Sequence, residues 1–192
     1  MLNIVLFGPP GAGKGTQSAK IIESHSLIHI ATGDLFRKHM GENTELGQLA
    51  KSYIDAGNLV PDQVVIGMVE DKIQENLDAS GFIFDGFPRT VNQADALDEM
   101  LEKHGLSISG MVALVVPEDE LKVRIKERAK TSGRVDDQDD DKINNRIQVY
   151  NRETSPVADY YRGQGKFTAI NGVGSIDDIF HEINSAITSL EV

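Results

Sequence analysis

Residues 8–16 read GPPGAGKGT, and they follow directly on the apolar run Leu2–Phe7. An apolar strand that delivers a glycine-rich loop into the start of a helix is the arrangement that cradles nucleotide phosphates. The glycines of this stretch (Gly8, Gly11, Gly13, Gly15) let the loop wind tightly, so that its backbone N–H groups converge on an anion. Lys14 adds a compact positive charge for the β and γ phosphates. One detail departs from the common pattern: the hydroxyl usually follows the lysine directly, but here Gly15 stands there and Thr16 comes next. A merely structural strand-to-helix turn needs neither the lysine nor this spacing. Strand, spacing and Lys14 together predict a P-loop.

Outward from the loop, further short apolar runs occur at Leu27–Ile30, Phe82–Phe84, Met111–Val116 and Phe167–Ile170, with helical patterns between them. Alternating β and α, with strands that are apolar almost throughout, predicts an α/β fold: a five-stranded parallel sheet with helices on both faces. Pro117 and Glu118 suit the first turn of a helix after the fourth strand. Ser175 with Asp178 gives a capping-box-like start to the last helix, whose apolar face carries Ile176, Ile179, Phe180 and Ile183. Two intervals break the alternation. About fifty residues separate the second and third strands, more than one crossover helix needs. They read as helices near Asp34–Met40 and Thr44–Ala56 and a longer one after Pro61, within which Gly67 is expected to allow close packing. The second interval, TSGRVDDQDDD (Thr131–Asp141), is polar and acidic and looks too polar to enter a core. The expected organisation is one domain over 1–192, with an inserted segment at about 31–60 and a short lid at about 129–141.

The composition narrows the function. A chain of 192 residues with a net charge of −11 is a poor general nucleic-acid binder, which needs a basic face. A small polyphosphate needs only a local positive site, which a few of the eight arginines can supply. The chain has no cysteine, which excludes disulfides, thiol catalysis and thiolate zinc sites. No signal-like start and no apolar run of about 18 residues is present, so the expected location is the cytoplasm and no membrane partner is expected.

The third strand runs into DGFPRT (Asp85–Thr90). In an open parallel sheet the carboxyl ends of the strands face the ligand crevice. There Asp85 can act on a magnesium ion directly or through its waters. Gly86 permits close backbone approach, Pro88 stiffens the turn, and Arg89 offers a fork that matches a phosphate. An Asp-Gly turn followed by a surface arginine is the alternative, and the neighbouring P-loop argues against it.

GPPGAGKGT, ATGDLFR (Ala31–Arg37), GNLVPD (Gly57–Asp62), DGFPRTVNQA (Asp85–Ala94), SGRVDDQ (Ser132–Gln138) and ETSPVADYY (Glu153–Tyr161) follow one another in the order found in adenylate kinases. The chain resembles that family over nearly its whole length, including the glycine after the P-loop lysine. The resemblance implies the reaction ATP + AMP ⇌ 2 ADP with magnesium, on a parallel-sheet core with a helical AMP-binding excursion and a lid. It implies that Gly11, Ala12, Gly13, Lys14, Gly15 and Thr16 surround the ATP phosphates, with Arg124, Arg128 and Gly174 also on the ATP side. Thr32, Arg37, Asn58, Leu59, Val60, Gly86, Phe87, Pro88, Arg89, Gln93, Arg134 and Arg146 fall to AMP. Arg134 and Arg146 gather around the phosphates on closure. Lys14, Arg89, Arg128, Arg134 and Arg146 form the catalytic set, and Asp85 serves magnesium through water. The lid lacks the longer insertion of many bacterial members, and without cysteines no structural zinc is expected.

The arginine chemistry agrees with this. Phosphoryl transfer needs positioning and charge neutralisation more than covalent chemistry. Arg124 and Arg128, four apart, share one helix face. Arg152 and Arg162 read as surface residues. Asp136 and Asp137 are open to two readings: partners of the clamping arginines, or solubilising charges. Asp139–Asp141 reads as a solvated run opening a helix, Pro156 as a helix interruption, and the five histidines as structural or surface residues. Rival functions are a UMP/CMP-type kinase, another small P-loop kinase, and a non-catalytic nucleotide sensor or GTPase-like switch. Thr32 and Gln93 favour adenine, no NKxD motif is present, and neither Lys14 nor a clamp arginine is missing. The expected partners are ATP, AMP and ADP, and the default assembly is a monomer. The lid is expected to lie open without ligand and to close on two nucleotides.

Overall fold

In the computed structural model, which describes residues 1–190, strand β1 (Leu2–Phe7) lies at the centre of a sheet with β2 (Ile28–Ala31), β3 (Gly81–Asp85), β4 (Gly110–Val115) and β5 (Phe167–Asn171). The order is β2-β3-β1-β4-β5, and every neighbouring pair is parallel. Asp85 is level with Leu6 on one side and Ala31 on the other. The carboxyl ends of β1, β2 and β3 therefore finish on one line, and the loops leaving them start side by side. β2 and β4 are each displaced by one residue from the apolar runs at Leu27–Ile30 and Met111–Val116. The pairing register, Ile28↔Phe82 and Ile4↔Gly110, sets these edges rather than hydrophobicity.

The helices are α1 (Lys14–His25), α2 (Thr32–Gly41), α3 (Glu45–Ile54), α4 (Asp62–Gln74), α5 (Val91–Glu102), α6 (Glu118–Ser132), α7 (Asp140–Val149), α8 (Pro156–Gly163) and α9 (Ile176–Thr188). Alternate strand residues divide the core into two layers. Ile4, Leu6, Ile83, Val112 and Leu114 pack with Ile21 of α1 and Ile179, Ile183 and Ile187 of α9. Val5, Phe7, Phe82, Phe84 and Met111 pack on the other face with Val69 and Ile73 of α4, Leu97 and Leu101 of α5, and Val157 and Tyr161 of α8. Helices on both faces bury the sheet, which explains its unbroken apolar strands.

Helix starts follow their caps. Thr44, Thr90 and Ser175 accept from the N–H groups of Gly47, Gln93 and Asp178 at 3.0, 3.1 and 3.1 Å. Such a cap contributes about 1 kcal/mol. Asp139 does the same for α7, accepting from Asp141 N–H at 2.7 Å, as its acidic run suggests. Between α7 and α8 the chain makes a π turn over Tyr150–Thr154, closed by the Ser155 N–H on the Tyr150 carbonyl at 2.8 Å. Pro156 then opens α8, where the missing N–H costs nothing. Gly67 faces solvent with no neighbour in reach of a Cβ, so the expected close packing does not occur there. Among the described residues no helix is long and apolar enough to cross a membrane.

Candidate active site

A cleft of about 720 Å³ opens at the carboxyl ends of the strands. Its floor is the loop from Gly8 to Lys14. Gly11 has φ +83°, and a Cβ there would stand 2.8 Å from Ile125 Cγ1, so no larger residue lets the loop pass under α6. Gly13 occupies the N-cap of α1, and neither a side-chain cap nor an acidic residue serves the first turn. That turn keeps its positive end for an external anion. Lys14 Nζ donates to the carbonyls of Gly8 and Pro9 at 2.8 and 3.1 Å. Burial lowers its pKa to about 8; Asp85 opposes the shift, while Arg89, Arg146 and Arg128 add to it.

Asp85, at the end of β3, lies 3.5 Å from His29 Nε2. Burial by itself raises a carboxyl pKa, but the His29 contact and the charges of Lys14 and Arg89 outweigh it and hold Asp85 ionised. Next to it Gly86 turns with φ +75°, and its carbonyl accepts from Thr32 Oγ1 at 2.8 Å and from Arg89 Nε at 2.7 Å. A Cβ at Gly86 would meet Arg89 Nη2 at 2.9 Å. The glycine thus lets one carbonyl aim the arginine, whose two terminal nitrogens stay available for a phosphate. Burial and the neighbouring Arg146 lower the Arg89 pKa to about 10, leaving it charged at neutral pH. Arg37 pairs with Asp34 across one turn of α2. Asn58 accepts from Asn145 Nδ2 at 3.1 Å, and Asn145 also reaches the Ala56 carbonyl at 2.8 Å. Leu59 and Val60, joined by Phe36, Ile54 and Val65, give this end an apolar wall.

On the opposite side the polar stretch after α6 is not the solvent-facing segment its composition suggests. Val135–Asp137 forms one 3-10 turn that buries both acids, Asp136 at 8% and Asp137 at 2% exposure. Asp137 accepts from Arg128 Nε and Nη2 at 2.7 and 2.8 Å and from Arg146 Nη1 at 2.6 Å. Asp136 lies 3.0 Å from the same Arg146 nitrogen. The arginines neutralise the acids and permit their burial, which settles the two readings of this pair in favour of arginine partners. Arg134 approaches Asp34 of α2 at 4.0 Å across the cleft. Burial, with Arg37 and Arg128 nearby, lowers its pKa.

Arg124 is held in its own plane: Nε on Glu120 at 2.7 Å, Nη2 on the Gly172 carbonyl at 2.9 Å and Nη1 toward the Ala12 carbonyl at 3.4 Å. Each of its three nitrogens thus has a partner within the protein, which fixes the plane of the guanidinium beside the P-loop. Gly174 is not on the cleft wall; the nearby Gly172 carbonyl touches the site only indirectly, by accepting from Arg124. All the other residues expected at the site, from Gly11 to Arg146, line this one cleft. Arg152 and Arg162 lie outside it, paired locally with Glu153 and Asp159. Sequence reasoning missed Tyr150 and Thr154, which the π turn brings to the wall. Proline two residues after Thr154 was the available signal, since π turns gather at functional sites.

Among the described residues, seven cationic and three acidic side chains line a cleft in a chain of net charge −11. A P-loop, an ionised carboxylate on the adjacent strand and arginines converging from three directions define a P-loop phosphotransferase. Comparison with known proteins gives the particular family. The family model described as adenylate kinase matches residues 6–166. The adenylate kinase of Flavobacterium psychrophilum is 49% identical over 190 residues, covering 99% of this chain and all of the relative. That of Bacteroides fragilis is 48% identical over 190 residues with the same coverage. That of Streptomyces avermitilis is 40% identical over 213 aligned positions, covering 97% of each. The chain belongs to the adenylate kinase family, and its reaction is phosphoryl transfer between ATP and AMP.

Proposed function

We propose that the cleft holds the two nucleotides end to end, ATP over the P-loop and Arg124, and AMP between Thr32, Arg37, Arg89, Gln93 and the wall at Asn58–Val60. The carrying observation is that Lys14, Arg89, Arg128, Arg134 and Arg146 approach one space from both sides. An oxygen of the AMP phosphate attacks the γ phosphorus of ATP, the bond to the bridging oxygen breaks, and two ADP result. The attacking phosphate is already largely deprotonated at neutral pH, so no general base is required. Catalysis then consists of alignment and of neutralising charge spread over the transferred group. Gly86, Phe87 and Pro88 shape the acceptor turn, and the Gly86 carbonyl aims Arg89.

The site fits magnesium carried in with ATP. Asp85 is an ionised hard-oxygen donor at the strand end beside Lys14, and magnesium takes one or two carboxylates together with phosphates and water. When bound, the ion neutralises charge on the ATP phosphates; Asp85 would hold it through its waters. In this reading the helical segment at about 31–60 closes over AMP, and the short segment at about 129–141 is the lid that excludes water from the transfer. We further propose that the protein works as a cytoplasmic monomer on ATP, AMP and ADP, without nucleic-acid or membrane partners. Phosphorus NMR of ATP, AMP and magnesium with purified protein tests the reading. ADP should appear without inorganic phosphate; release of phosphate without AMP consumption would overturn it.

A further inference from the structure

Asp62 lies where the chain returns from the helical excursion and opens α4. Its carboxylate gathers three side chains from the start of α5, the N-cap Thr90 and two residues of the first turn. It accepts from Gln93 Nε2 at 2.8 Å, from Asn92 Nδ2 at 3.0 Å, and from Thr90 Oγ1 at 3.2 Å to each oxygen. Gln93 is 1% exposed, and its Oε1 accepts from the Arg89 backbone N–H at 2.7 Å. The amide is therefore pinned at both ends. An ionised carboxylate only accepts and a backbone N–H only donates, so the NH2 end must face Asp62 and the oxygen must face Arg89. A flipped amide would set donor against donor and oxygen against carboxylate. One N–H and one lone pair remain, in a fixed order, on a group that lines the acceptor end of the cleft.

We propose that Asp62 is a positioning residue for base selection: it locks the Gln93 amide in the one orientation that matches adenine. Adenine offers an acceptor at N1 beside an exocyclic amine, which complements the remaining N–H and lone pair. Hypoxanthine, of nearly the same shape, offers N1–H beside a carbonyl and meets the locked amide donor to donor. A site that leaves polar groups unpaired against the wrong substrate discriminates far more strongly than one that differs only in shape. The inference rests on the reading of Gln93 as a contact of the acceptor base.

The test is steady-state transfer from ATP to AMP or IMP by the full chain carrying Asp62→Ala, Gln93→Ala, both, or Asp62→Asn. Asp62→Ala should raise KM for AMP about tenfold, the scale of one oriented polar contact, and lower the preference for AMP over IMP by a similar factor. KM for ATP should stay within about twofold, since no ATP-side contact is touched. Asp62→Asn, which keeps an oxygen for Gln93, should recover most of the preference. The double variant should have the AMP/IMP ratio of Gln93→Ala alone. Should Asp62→Ala fail to fold, Asp62→Ser, too short to hold the amide, is read in the same way. A wild-type AMP/IMP ratio in Asp62→Ala, with Gln93→Ala losing it, overturns the positioning role and leaves the acceptor site standing. A uniform fall in kcat and both affinities at constant ratio overturns it as well, by marking Asp62 as structural. If Gln93→Ala changes neither KM for AMP nor the ratio, the acceptor-site reading fails and the proposal with it.

Discussion

Replacing Asp137 by Asn keeps the side-chain volume, removes the charge and turns one acceptor into a donor. The wild-type carboxylate has no solvent exposure and takes three short bonds from Arg128 and Arg146. Removing one partner of a buried ion pair costs about 3–5 kcal/mol. Arg128 is 32% exposed and Arg146 keeps Asp136, so the lower end, about 3 kcal/mol, applies. For a chain of this length each kcal/mol moves Tm by about 2–4 °C, giving a fall of about 6–12 °C. Thermal unfolding by circular dichroism at pH 7 without nucleotide measures it. The pH dependence adds a second check. Burial would raise the Asp137 pKa, but the hydrogen bonds and charges of Arg128 and Arg146 hold it below the usual range. A carboxyl with a depressed folded-state pKa stabilises fully above its unfolded value, about 3.9, and loses that contribution as pH falls through the folded value. The gap between wild type and Asp137→Asn should thus be constant from pH 7 to about 5 and close in more acidic solution. A Tm within about 2 °C of wild type, or a gap that persists unchanged to pH 2, would refute the view that these arginines are assembled around a buried anion.

Further outcomes are expected at Arg89, at Arg134 and its segment, and at Lys14. Arg89→Ala should raise KM for AMP about 10- to 150-fold, the equivalent of roughly 1.5–3 kcal/mol for a charge-assisted pair, with ATP little affected; paired Michaelis titrations decide it, and the reverse pattern would exchange the two sites. Arg134→Ala should lower turnover more than ATP affinity, and two adenosines joined by five phosphates should protect residues 131–141 from amide exchange far more than AMP does; normal turnover or unchanged exchange would make the segment an inert loop. Lys14 loses its proton near pH 8 in the free protein, so calorimetric ATP affinity should fall as pH rises past that value, and a flat wild-type profile to pH 9.5 would contradict it. Lys14→Met should abolish transfer yet unfold no earlier than wild type at pH 7. The unfolded chain binds that proton more tightly than the folded one between about 8 and 10.4, so the desolvated, partly buried ammonium is a stability cost at neutral pH.

The β1–P-loop–α1 unit is legible in the sequence because everything it needs is local: an apolar run, glycine spacing and one lysine. DGFPRT is legible for the same reason. The fate of Asp136 and Asp137 is not, since a local reading sees only charges. Their counter-ions, Arg128 and Arg146, sit on α6 and α7, which meet only after folding. The bond from Arg124 to the Gly172 carbonyl is equally hidden, because a backbone group carries no sequence signature. Gly67 shows the opposite error, a packing role inferred where the helix faces water. Strand edges slipped by one residue because hydrogen-bond register, not hydrophobicity, ends a strand.

The π turn at Tyr150–Thr154 fixes the rotational phase between two helices. α8 is locked in the core through Val157 and Tyr161, both fully buried, while α7 carries Arg146 toward the cleft. Each residue in a helix advances it by about 100°, so an ordinary α turn, one residue shorter, would rotate α7 by that angle relative to α8. Arg146 would then sweep away from Asp137 and from the cleft, although no charged residue had changed. An insertion or deletion in this five-residue stretch should therefore disturb the site even though it lies between two ordinary helices, because its length, more than its chemistry, aims an arginine.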